Sequence, residues 1–185
     1  MPLAMNRDQA LELLHHSDEI ITADTVKNEI QNMAKDISAV LANEFPLILP
    51  VMGGATVFTG MLLPLLNFPL NFDYIHLTRY NNTMKGGETQ WRVSPAESVK
   101  DRTVLILDDI LDEGWTMYTI KQRMLELGVK QFFCAVLCDK KIEQKKPLQA
   151  DFIGFSVPNR YVFGCGMDAK GYWRNLPNIR ALRDN

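Results

Sequence analysis

Three stretches of the chain are apolar almost without interruption: Leu47 to Val51, Val104 to Leu107 and Phe132 to Cys138. Runs of this length without polar alternation predict strands covered on both faces, as in a parallel sheet. Asn71 to Leu77 alternates instead, which predicts a further strand. Between these runs the period becomes helical. From Asp24 to Phe45, apolar residues recur at Val26, Ile30, Met33, Ile37, Val40 and Leu41, with Thr22 or Asp24 placed to cap the helix. An apolar helix runs through Met61 toward Pro64, and another spans Thr119 to Leu127 and closes on Gly128, a good C-cap. Strands and helices in turn predict an α/β fold, a parallel sheet flanked by helices.

Two segments stand outside the pattern. Arg79 to Gln90 is polar, contains Gly86-Gly87 and shows no period, which predicts a mobile excursion before Trp91-Arg92-Val93 that could close over a ligand as a lid. His15-His16 ends a short amphipathic stretch near the N-terminus; adjacent helical residues point in different directions, so they read as surface residues.

Composition narrows the function. A chain of 185 residues, 46% hydrophobic, is long enough for one well-buried domain over 1–185. Its formal charge of −2 advertises no basic surface for nucleic acid or an anionic membrane, and no apolar run reaches the length of a bilayer span. The three cysteines are an odd number, with Cys134 and Cys138 inside a strand-like run, so a reducing cytoplasm is expected.

The chemistry gathers after Val104-Leu105-Ile106-Leu107. The chain turns acidic at Asp108, Asp109, Asp112 and Glu113, and Gly114 precedes a new apolar period. A strand, tight loop and helix N-terminus would offer backbone N–H groups to a phosphate at Gly114 to Met117. Asp108 and Asp109 fall on opposite sides of the strand end, and Asp112 falls in the loop. Three carboxylates would repel a bare phosphate, so a divalent cation or a cationic transition state is expected there. Met52-Gly53-Gly54 supplies a second turn at which backbone can approach an anion closely.

The apolar run, Asp-Asp, two apolar residues, Asp, one variable residue, Gly, one variable residue and Thr together resemble the ribose-phosphate signature of the phosphoribosyltransferases. The pattern is neither a nucleoside triphosphatase loop nor a dinucleotide fingerprint. The resemblance implies that Asp108 and Asp109 face the ribose hydroxyls of 5-phosphoribosyl 1-pyrophosphate, and that Glu113, Gly114, Trp115 and Thr116 form its 5-phosphate loop. Met52, Gly53 and Gly54 would bind pyrophosphate, with a cis peptide between Met52 and Gly53. A flexible flap at about 79–92 would bring Arg79 and Tyr80 to the same group. Asp112 would be the catalytic base.

The segments Asp151 to Pro158 and Tyr161 to Asp168 are similar to the base-binding hood of purine phosphoribosyltransferases of the hypoxanthine-guanine class. In that likeness Lys140 meets the O6 of a 6-oxopurine, Tyr161 stacks on the base and Val162 offers backbone groups to its edge. Asp168 lies near the base and the metal, and Arg174 reaches pyrophosphate. Mg2+ is implied, with Asp108, Asp109 and Asp168 as candidate metal residues. Four positions depart from the usual pattern: Gly53 for Lys or Arg, Arg79 for Ser, Trp115 for Lys or a polar residue, and Ala169 for Tyr.

The function implied is purine salvage: phosphoribosyl transfer to N9 of hypoxanthine or guanine. A xanthine-preferring enzyme is the near alternative. A regulator of the same fold that binds nucleic acid is the distant one, and it would need a basic face. The resemblance also implies a small hood, mainly from 150–185 with a contribution from the N-terminus, and a homodimer or homotetramer. The apolar helix from Phe58 to Leu66 is expected to meet the partner subunit.

Overall fold

The computed structural model describes residues 5–79, 89–95 and 98–183, with backbone alone at 78, 79 and 89. In chain order the elements are α1 (Arg7–His15), β1 (Ser17–Ile21), α2 (Ala23–Leu41), β2 (Leu47–Met52) and α3 (Thr56–Leu62), which runs into a 3-10 turn at Leu63–Leu65. β3 (Asn71–Phe72), β4 (Ile75–Arg79), β5 (Thr89–Val93), β6 (Thr103–Leu111) and α4 (Trp115–Glu126) follow. The chain then forms β7 (Gln131–Lys140), β8 (Phe152–Val157), β9 (Val162–Phe163) and β10 (Ile179–Leu182).

The large sheet runs β5-β4-β2-β6-β7-β8, with β3 also beside β2. All its pairings are parallel except that of β5 with β4. Its central strands are apolar throughout because alternate side chains enter different layers. Ile48, Leu105, Leu107 and Leu137 pack in one layer with Val26, Ile30 and Ile37 of α2 and Phe58 of α3. Leu47, Leu49, Val104, Ile106 and Val136 pack in the other with Met117, Ile120 and Met124 of α4.

The alternating stretch from Asn71 to Leu77 forms two short strands rather than one. β3 and β4 keep the same register on β2, with Ile48 beside Phe72 and Val51 beside Ile75. The Asp73 N–H donates to the Ile48 carbonyl, 3.2 Å away, so Ile48 directs its peptide groups toward this edge. Pro50, two residues on, faces the same way and has no N–H to donate. The ladder breaks where that donor is missing.

Helix α2 starts at the expected cap, where the Thr22 hydroxyl accepts from the Thr25 N–H, but it ends at Leu41, short of Phe45. Val40, at the rim of the apolar stripe, is exposed rather than in the core, and Phe45 is exposed with a left-handed φ of 47°. Along the helix from Phe58 toward Leu66, Phe58, Leu62 and Leu66 are buried against α2 and the sheet of their own chain, while Met61, Leu63 and Leu65 are only partly covered. The ends of the expected flap are paired backbone: Arg79 and Thr89 face each other in the β4–β5 hairpin. Residues 80–88, Tyr80 among them, lie outside the described residues.

A second sheet, β1-β10-β9, is antiparallel and joins the two ends of the chain. Asp18 of β1 accepts from Arg160 and Arg183, each at 2.8 Å, and the Arg180 Nε donates to the Ser17 hydroxyl at 2.8 Å. Helix α1, closed by a capping box between Asn6 and Gln9, is tied to this layer where the Trp173 Nε1 donates to the Ala10 carbonyl at 2.7 Å. β8, placed in the hood by sequence, pairs with β7 instead as the last strand of the large sheet, because its residues continue the parallel register. His15 and His16 are exposed, as expected. Cys134, Cys138 and Cys165 are free and buried; burial pushes the Cys134 thiol up to about 12 and that of Cys165 to about 11. No helix among the described residues is long and apolar enough to cross a membrane.

Candidate active site

β6 runs farther than its apolar residues alone indicate, carrying Asp108 and Asp109 inside the strand rather than at its end. The alternation along β6 turns Asp109 toward the layer that holds α3, and Asp108, only 8% exposed, toward the layer that holds α4. The Asp108 Oδ1 accepts the Asp109 N–H at 3.0 Å. Burial pushes the Asp109 carboxyl above its ordinary range; its hydrogen bond with Asp108 and the positive charge of Arg174 act against that rise without cancelling it.

The second glycine turn lies directly over Asp109. A Cβ on Gly54 would overlap the Asp109 carboxylate, and one on Gly166, whose φ is +105°, would overlap the Gly54 carbonyl. Gly54 is therefore required by the close approach of a carboxylate to backbone, whereas a side chain at Gly53 would enter open space. The Met52-Gly53 peptide is cis.

After Leu111 only Asp112, Glu113 and Gly114 separate β6 from α4. Gly114 turns the chain with φ +86°, and its carbonyl accepts the Tyr118 N–H at 2.9 Å to start the helix. The N-cap residue is Gly114, which has no side chain to cap this N-terminus, and a helix start of this kind suits an anion. The resulting cleft, of about 490 Å³, is lined by Met52, Gly53 and Gly54 from one turn and by Asp108, Asp109, Asp112, Gly114 and Thr116 from the other. Arg174 and Asp168 close it from the hood side.

A second cavity, of about 230 Å³, adjoins the first and holds Lys140, Tyr161, Val162 and Met167. Asp109, Ile110, Asp112 and Asp168 line both. Lys140, the last residue of β7, sends its ammonium to the Asp112 Oδ2 at 2.8 Å, with the lysine side chain 13% exposed. Tyr161 is half exposed and free to present its ring to the cavity, while Val162 is buried at the start of β9.

Sequence reasoning thus brought together residues from four separate segments. Glu113 and Trp115 do not line the cleft; Trp115 is exposed and meets Tyr118 edge-on, with ring centroids 6.0 Å apart. The Asp168 Oδ1 binds the Arg174 Nη2 at 2.5 Å and its Oδ2 accepts the Gly171 N–H at 2.6 Å, so this carboxylate orients the arginine. Among the described residues no three His, Cys, Asp or Glu side chains converge as a metal cage; of the candidate metal residues, Asp108 and Asp109 stand on the strand and Asp168 on the hood, and all three line the cleft. His76 and Leu77 of β4, overlooked in the sequence, also line the cleft. Their position late in a parallel strand was the available signal.

Comparison with known proteins agrees with this arrangement. Residues 16–170 match the phosphoribosyl transferase domain family. The hypoxanthine-guanine phosphoribosyltransferase of Bacillus subtilis (strain 168) is 33% identical over 162 residues, covering 85% of this chain and 90% of that one. The bifunctional protein TilS/HprT of Listeria innocua is 32% identical over 165 residues; these are 89% of this chain, which spans only 26% of that longer protein. A solved structure of a hypoxanthine-guanine-xanthine phosphoribosyltransferase superposes with a TM-score of 0.79 at 28% identity, covering 90% of this chain and 94% of that one.

Proposed function

The chain belongs to the phosphoribosyltransferase family, and from that membership we propose that it salvages purines, transferring the phosphoribosyl group of 5-phosphoribosyl 1-pyrophosphate to N9 of hypoxanthine or guanine. IMP or GMP and pyrophosphate are the products. The observation that carries the reading is the pair of adjoining cavities with Asp109, Asp112 and Asp168 on their common wall. A group-transfer reaction between a large anionic donor and a small flat acceptor needs such a pair of sites, with the reacting atoms at the seam.

In this reading the uncapped N-terminus of α4 holds the 5-phosphate through the N–H groups around Gly114 to Thr116. Met52, Gly53, Gly54 and Arg174 bind the pyrophosphate, with Arg79 and Tyr80 assigned to the flap that covers it. Asp108 and Asp109 face the ribose and stabilise the positive charge that develops as the bond to pyrophosphate lengthens. Fixed carboxylates suit that task because they need no reorganisation as the charge appears.

The acceptor is chosen by Lys140 and Asp112. Donor and acceptor stand 2.8 Å apart, and the O6/N7 edge of a 6-oxopurine offers them the complementary acceptor and donor. Asp112 takes the N7 proton as N9 attacks C1 of the ribose. An adenine amine would set N–H donors against the Lys140 ammonium and offer it no acceptor. Tyr161 stacks on the ring, and Val162 meets its edge through backbone groups.

Mg2+ fits the donor side. Asp108 and Asp109 are hard oxygen donors, and the raised carboxyl of buried Asp109 is of the kind that a neighbouring cation relieves. Mg2+ is commonly held by one or two carboxylates together with substrate phosphates, which suits a site lacking a protein cage. When bound it would screen the donor's charge and make pyrophosphate a better leaving group. Asp168, which holds Arg174, would be the third residue beside the ion. A cytoplasmic homodimer or homotetramer completes the reading; the three buried, unpaired thiols support the location.

The test is nucleotide formation from the donor, Mg2+ and hypoxanthine, guanine, xanthine or adenine in parallel. Turnover of the 6-oxopurines with adenine refused is expected, and the rates rank xanthine among them. Adenine accepted as readily as hypoxanthine would overturn the role given to Lys140, and no turnover of any base would overturn the function.

A further inference from the structure

Lys146 lies in the segment between β7 and β8 and lines neither substrate cavity, yet its side chain is only 12% exposed. Its ammonium donates to the Leu111 carbonyl and to the Asp139 Oδ1, each at 2.6 Å. Those two acceptors are register partners: Leu111 of β6 sits beside Asp139 of β7 at the end of their ladder. The next residues along the two strands are Asp112 and Lys140, the pair that meets at 2.8 Å. One largely covered cation therefore ties two strand ends together at the last step before the acidic and basic groups of the site.

The same segment also supports the phosphate loop. A Cβ on Gly114 would lie 3.3 Å from the Pro147 Cδ and 3.4 Å from the Lys146 Cβ, so residues 146–147 pack against the turn that opens α4. Leu148, buried among Val104, Ile106 and Met117, anchors the segment to the core. A bare strand end beyond its last ladder partner frays easily, and a free loop costs precision in the groups it carries. Here the backbone on either side of Asp112 is held, at Leu111 by Lys146 and at Gly114 by the packed segment.

We infer that Lys146 is a positioning residue that fixes Asp112 and Lys140 relative to one another by clamping Leu111 to Asp139, without touching substrate itself. The inference rests on the proposed reaction for its kinetic consequence and on geometry alone for its structural one. Removing the ammonium leaves the Asp139 carboxylate and the Leu111 carbonyl without this partner, and the Asp112 loop loosens. A small misplacement of a catalytic group lowers turnover by on the order of tenfold or more.

The test is a kinetic cycle on the full chain with 5-phosphoribosyl 1-pyrophosphate, Mg2+ and hypoxanthine. It compares wild type, Lys146→Met, Asp112→Asn and the double variant, and amide hydrogen exchange at 112–116 is measured on the same proteins. The clamp predicts kcat about tenfold lower in Lys146→Met, no further fall when that change is added to Asp112→Asn, and faster exchange at 112–116. Lys146→Arg, which can span both acceptors, should restore kcat. Loss by the same factor in both backgrounds, or unchanged kcat and exchange, overturns the inference. If Lys146→Met does not fold, Lys146→Gln, which keeps a donor for Leu111 but no charge for Asp139, takes its place in the cycle. A wild type that makes no nucleotide counts against the reaction instead, and exchange at 112–116 then decides the clamp by itself.

Discussion

At the carboxyl end of β6, Asp108 and Asp109 stand on a strand whose preceding residues, Val104 to Leu107, are fully buried between two helical layers. Across the cleft, Tyr161 and Asp168 stand on a segment fastened by ion pairs and backbone hydrogen bonds, with Asp18, Arg160 and Arg183 as its main ties. The first region holds its functional groups with apolar packing that water does not weaken. The second has a buried apolar side too, at Val162, Phe163, Cys165 and Met167, and adds to it polar ties that solvent reaches. The difference suits the two tasks: the strand end must keep fixed charges still while a positive charge develops, and the hood must admit a base and release a nucleotide.

Four changes would break or sharpen this contrast. The largest effect should come from Asp112→Asn, which removes the base at the seam: kcat for hypoxanthine should fall about 10²–10⁴-fold while the melting temperature barely moves. A second change attacks the strand end through its neighbour. Gly54→Ala pushes a methyl group into the Asp109 carboxylate, and kcat/KM for the phosphoribosyl donor should fall about a hundredfold, read from donor titrations at saturating base. Leu105→Ala tests the packing itself. A fully buried leucine in the central strand should cost about 2–5 kcal/mol of stability in denaturant melts, more than loss of any one polar tie of the hood.

Arg160→Ala should show the other side of the comparison. It cuts the ties to Asp18 and to the Leu182 carbonyl, so KM for the base should rise a few-fold with kcat retained. A large fall in kcat would show that the hood is as much part of the chemical apparatus as the strand end. The smallest effect concerns acid. Hydrogen bonds from Arg183 and Arg160 hold the Asp18 carboxyl below its ordinary value of 3.8. Its contribution to the hood is therefore complete above that value and is lost as pH falls through the lowered one. Amide exchange in β1 and β10 should quicken in that range before exchange in β6 does.

The same contrast explains what could be read from the chain. β2, β6 and β7 were legible because burial on both faces leaves continuous apolar runs, and the acidic loop was legible because carboxylates beside a helix start are chemically conspicuous. β1 and β10 were not. Ser17-Asp18-Glu19 resembles any surface segment, and its partners stand at the far end of the chain, with Asp18 and Arg183 165 residues apart. The split between β3 and β4 was hidden for a related reason: it is set by a missing N–H on the neighbouring strand, at Pro50. Pairing, rather than composition, also concealed the role of Asp168, whose carboxylate the fold uses to orient Arg174.

The division of labour is tested most directly by a crystal structure of the chain with IMP. The phosphate is expected on the N–H groups at the start of α4 and the hypoxanthine ring against Tyr161, with O6 within hydrogen-bond reach of the Lys140 Nζ and N7 turned toward Asp112. A phosphate bound elsewhere, or a base lying outside the cavity between Lys140 and Tyr161, would contradict this expectation.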